Sequence, residues 1–148
     1  MGRMIFVNLP TQDLSAADRF YSAMGFEKNS EFSNENATAW MITQDIWVMS
    51  LADGFYKTFL RNDDAPGYGQ GVRETLNCIS CESSAEVDEL ARKAADTGGA
   101  VYRQPAEEMP GMYAGAVTDP DGHVWELVWM QSPGGGDAAQ VPTEESGE

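Results

Sequence analysis

The chain has 148 residues, with 24 acidic and 9 basic side chains and a net charge of −15 at neutral pH. That length suits one domain with a sizeable core. The charge excludes nucleic acid and anionic membrane as natural partners, because both require clustered Lys and Arg. No run of about eighteen apolar residues offers a membrane span. The acidic surface serves solubility and would also gather cationic small molecules.

In chain order, Met4 to Leu9 is mostly apolar and reads as a buried strand. The segment around it is too short and too quickly polar for a signal peptide, and Gly2 lacks the Ser or Thr of a myristoylation signal, so the expected location is cytoplasmic. Asp13 or Ser15 can cap the helix that follows. Leu14, Ala17, Phe20, Tyr21 and Met24 share one helical face, and Gly25 stops it. A strand resumes near Phe26, Asn34 to Asn36 is a turn, and Ala37 to Ile42 and Ile46 to Leu51 are two further strands.

Residues 52–74 form a connector. It opens with Phe55, Tyr56, Phe59 and Leu60, read as a short helix whose aromatics either partly lid a cleft or pack on a sheet edge. Gly67, Gly69 and Gly71 have no strand before them and no helix after, so they do not form a nucleotide loop.

The second half repeats the first. Thr75 to Cys81 is a strand, and Ser83 with Glu86 forms a capping box. Val87, Leu90, Ala91 and Ala94 mark the buried face of a helix that Gly98 and Gly99 end. Ala100 to Arg103 is a strand, followed by an irregular loop with Pro105, Pro110 and Gly111. Met112 to Thr118 is a strand, Asp119-Pro120-Asp121-Gly122 a turn, and His123 to Met130 the last strand. Cys78 and Cys81 lie three apart in a strand, so their thiols face opposite ways and do not pair. Residues 131–148 hold three consecutive glycines, two prolines and four acids, and read as a disordered acidic tail.

Two strand–helix–three-strand modules in one small chain resemble the vicinal-oxygen-chelate superfamily of glyoxalases, bleomycin-resistance proteins and extradiol dioxygenases. The residues that carry the resemblance are Phe6 to Leu14, Arg19-Phe20-Tyr21, Met24-Gly25-Phe26 and the closing Asp119 to Leu127. It spans about residues 4–130 and implies an α+β fold: two βαβββ modules, about 4–51 and 75–130, forming a curved mixed sheet around a cleft. It also implies helices on the convex face and, as in many members, a homodimer.

The resemblance further implies four inward positions where metal-dependent members place His, Glu or Gln. Here they map to Phe6, Met49, Leu76 and Glu126. Phe, Met and Leu are not ligands for a catalytic divalent ion, so no metal and no cofactor is expected. A one-residue slip turns the neighbours outward, and a two-residue slip brings in Asn8, Leu51, Cys78 and Val128, which is no better. His123, the single histidine, follows the turn and faces away from Glu126, so it reads as structural.

Alternation leaves a largely apolar cleft lined by Phe6, Asn8, Trp47, Met49 and Leu76, with Glu126 as the one acid. Glu126 is then either the polar anchor or general base of the cleft, or an idle remnant. Burial among apolar groups would raise its pKa in the first case. Three functions compete. One is metal-independent binding of a small, partly hydrophobic ligand. Another is a lyase, isomerase or dioxygenase-type enzyme, with or without metal. The last is an interaction module whose tail recruits a partner. Whether the chain is an enzyme stays open.

Overall fold

The computed structural model describes residues 2–131. The expected tail, apart from Gln131, lies outside the described residues. The first module comprises β1 (Ile5–Thr11), α1 (Leu14–Ala23), β2 (Glu27–Asn34), β3 (Ala37–Met41) and β4 (Ile46–Ala52). After the short α2 (Asp53–Lys57), the second comprises β5 (Asn77–Ser80), α3 (Ser84–Asp96), β6 (Ala100–Met109), β7 (Met112–Thr118) and β8 (Val124–Met130). The strands form two four-stranded mixed sheets, ordered β1-β4-β3-β2 and β5-β8-β7-β6. In each, the first and last strands of the module run parallel and the other pairs antiparallel.

Local chemistry explains the helix ends. The Asp13 carboxylate caps α1 by accepting from the Ala16 N–H, and Gly25 ends it with a φ of +91°, open to glycine without strain. At α3, Ser83 Oγ accepts from the Glu86 N–H, while Glu86 returns a carboxylate oxygen to the Glu82 N–H. The reciprocal bond reaches one residue further back than the expected capping box.

The core lies between the helices and one face of each sheet. Ala17, Phe20 and Tyr21 of α1 meet Trp40 and Val48, while Val87, Leu90, Ala91 and Ala94 of α3 meet Val117, Trp125 and Leu127. Fully burying one large apolar side chain contributes about 1.5–3 kcal/mol, so this cluster dominates the stability. Tyr21 joins the two halves. Its ring packs edge-on to Trp125 at 5.9 Å, its hydroxyl donates to Asp119 Oδ2 at 2.6 Å, and Trp125 Nε1 donates to that hydroxyl at 3.0 Å. Around it, His123 Nε2–H donates to the Pro10 carbonyl and the Gln12 N–H to Asp121.

Most boundaries shift by one or two residues, and two of the differences bear on the site. β5 starts at Asn77, not Thr75: its first pair is with Trp125, the second residue of β8. Leu76 therefore lies just outside the strand, half exposed. β6 runs on through the supposed loop to Met109, accommodating Pro105 by register shifts. Pro105 lacks an N–H and fits only at such irregularities. Its neighbour is Gly115, where an added Cβ would stand 2.9 Å from the proline ring and backbone.

Candidate functional site: the sheet faces turned from the helices

In the first sheet, Trp40 and Val48 point into the core, so their neighbours Trp47 and Met49 point the other way. The parallel register sets Phe6 beside Trp47 and Asn8 beside Met49. The Phe6 and Trp47 rings are 5.5 Å apart, and Phe32 of β2 packs on the far side of Trp47 at 5.8 Å. Trp47 is 8% exposed, while Phe6 and Phe32 are 49% and 58% exposed. The expected residues Phe6, Asn8, Trp47 and Met49 thus share one aromatic-rich face.

In the second sheet, Trp125 and Leu127 are in the core, which turns Glu126 outward. A row of four residues crosses the sheet there: Cys78 pairs with Glu126, Glu126 with Ala116, and Ala116 with Arg103. Arg103 enters the row through a bulge. Between Val101 and Arg103 the chain advances two residues while its partner advances one, from Val117 to Ala116. The bulge reverses the alternation, so Val101 packs against the core and Arg103 faces away from it. The small Ala116 lets the guanidinium reach across, where Nη1 donates to Glu126 Oε2 at 3.2 Å and Nε to Glu108 Oε2 at 3.0 Å.

The expectation of Glu126 among apolar groups alone is therefore corrected: it is partly exposed and paired with Arg103. Burial, and next the charge of Glu126, push the Cys78 thiol above its ordinary pKa, with Arg103 opposing weakly. Burial drives the Cys81 thiol to about 12. Both cysteines are free, Cys78 exposed and Cys81 buried. Leu76, expected in the ligand set, stands beside this face at the strand's start.

The four positions inferred for metal offer one carboxylate, and one of its oxygens is bound to Arg103. Among the described residues no three His, Cys, Asp or Glu side chains come together. These residues do not fit a divalent ion. A cavity of about 740 Å³ at the seam is lined by Asn8, Tyr56, Leu60, Arg73, Asn77 and His123, not by Phe6, Trp47 or Glu126. Tyr56 and Leu60 cover part of this seam, while Phe59 stays exposed against Phe55.

The Glyoxalase/Bleomycin resistance protein/Dioxygenase superfamily model matches residues 3–127. The chain belongs to this superfamily. Among solved structures, it resembles a glyoxalase-related enzyme from Fulvimarina pelagi at 22% identity and a TM-score of 0.72, over 93% of this chain and 95% of that one. A lactoylglutathione lyase from Agrobacterium tumefaciens aligns at 20% identity and TM-score 0.61, over 87% and 94%. The bleomycin resistance determinant of transposon Tn5 aligns at 19% and 0.58, over 88% and 100%. At these identities the likeness shows the fold. No curated protein matches the chain. Both modules match the superfamily's architecture, and no helix among the described residues is long and apolar enough to cross a membrane.

Arg103 was missed in the sequence. The only signal was the Ala-Gly-Ala run at 114–116, which leaves room above that strand for a long side chain from the next.

Proposed function

We propose that this superfamily member is a metal-independent binding protein whose ligand is a small, partly hydrophobic molecule held on the sheet faces turned from the helices. One observation carries the reading. Of the four positions where metal-dependent relatives need donors, three hold Phe6, Met49 and Leu76, and the fourth, Glu126, is engaged by Arg103. The exposed Phe6 and Phe32 rings packed on the buried Trp47 support an apolar half to the site, and the Glu126 carboxylate a polar anchor. Edge strand β1 carries the exposed Ile5 and Phe6, and Leu76 is exposed just before edge strand β5. Such an edge calls for cover, which supports a homodimer that brings an aromatic face and a Glu126 face together.

The test is ligand-observed NMR of a small-molecule panel on chelator-treated full-length protein. Ligands should bind without added metal and lose binding in both Trp47→Ala and Glu126→Gln. Hits that need a divalent ion, or that ignore both substitutions, would sink the proposal.

A further inference from the structure

Resting on that reading, we infer that the polar end of the site recognises a primary carboxamide, through the Arg103–Glu126 pair acting as one donor–acceptor edge. The argument starts from which atoms are free. Arg103 spends Nη1 on Glu126 Oε2 and Nε on Glu108 Oε2, and its Nη2 donates to none of the described residues. Glu126 spends Oε2, and its Oε1 accepts from none of the described residues. Both side chains remain open to solvent, 41% and 27% exposed. One N–H group and one carboxylate oxygen of the bonded pair therefore have no partner among the described residues.

The complement of such an edge carries an acceptor and a donor next to each other. A primary carboxamide does so: its carbonyl oxygen accepts from the guanidinium and its N–H donates to Oε1. Charge separates it from a carboxylate, and donor–acceptor matching separates it from an ammonium. Arg103 is flanked by two carboxylates, Glu108 and Glu126, so the cluster is net negative. A ligand carboxylate would be repelled, and an ammonium would satisfy Glu126 while leaving the guanidinium donors unused. A neutral amide meets both partners without adding charge. In the next pair of the same face the partly exposed Val128 gives the adjoining surface an apolar side chain for the ligand's body, while Ala114 and Ala116 lie buried beneath.

The experiment uses three probes with one benzyl body: phenylacetamide, phenylacetate and phenethylamine, titrated at pH 7 into metal-free full-length protein by ligand-observed NMR. The amide should bind about threefold more tightly than either analogue, since each leaves one exposed group of the pair to water. Arg103→Met should abolish the preference over phenethylamine, and Glu126→Met the preference over phenylacetate. If the amine binds as well as the amide and Glu126→Met abolishes both, the carboxamide inference is overturned and the cleft reading stands. If all three bind and neither Glu126→Met nor Trp47→Ala matters, both fall. No binding by any probe also overturns the inference.

Discussion

The Arg103 guanidinium meets the Glu126 carboxylate across Ala116, with Nη1 and Oε2 3.2 Å apart. An ion pair this exposed contributes roughly 0–1 kcal/mol to stability. Its consequence is positional, because it fixes which oxygen of Glu126 remains free. Arg103→Met should therefore lower unfolding stability by less than about 1 kcal/mol in urea titrations while weakening ligand binding.

Ala116 is almost wholly buried in the middle of the row. Ala116→Leu puts a branched side chain between the two charged groups. Overpacking of this kind costs about 1–3 kcal/mol, measurable by urea unfolding. Ligand binding should fall more than in Arg103→Met, since the site's floor is then filled.

Tyr21→Phe tests the tie between the modules. It strips a hydroxyl that serves two buried partners, leaving Asp119 Oδ2 and Trp125 Nε1 unmatched. The expected loss at pH 7 is about 2–4 kcal/mol by urea unfolding. Burial holds the Asp119 carboxyl above its ordinary pKa despite the nearby His123 charge. Asp119 therefore retains its proton in the folded state at a pH where the unfolded chain has released it. The wild type gains stability as pH falls from above the folded-state value to the ordinary carboxylate range. A neutral carboxyl also costs less to leave unpaired, so the deficit of Tyr21→Phe should narrow on acidification.

Cys78 reports on its neighbour Glu126. Its thiol is raised, first by burial and then by that carboxylate, so iodoacetamide should modify it with a midpoint above that of an ordinary thiol. In Glu126→Gln the midpoint should fall, because removing a negative charge favours the thiolate, yet stay raised by burial. Cys81, buried and at about 12, should stay unmodified until the protein unfolds. An unchanged Cys78 midpoint in Glu126→Gln would separate the two residues.

The sequence made the fold legible because its signals were local and agreed with one another. Asp13 and Ser83 cap the helices, Gly25 ends α1, and the apolar periodicity of α1 and α3 names the residues that form the core. The alternation of β4 and β8 assigned Trp47, Met49 and Glu126 to the outward face without structural help. Arg103 was invisible for a physical reason. Facing is read by a period of two, and the bulge before Arg103 breaks that period, while Pro105 made a continuous strand look like a loop. The start of β5 was likewise set from outside it, by where its pairing with β8 begins.

Most direct for the central claim is the metal content of full-length protein purified without chelators or a His tag, with a cobalt titration beside it. The account predicts near-zero metal and no saturable cobalt binding, because only Glu126 of the four positions offers a donor. Stoichiometric metal that disappears in Glu126→Ala would contradict it and return the protein to the metal-dependent members of its superfamily.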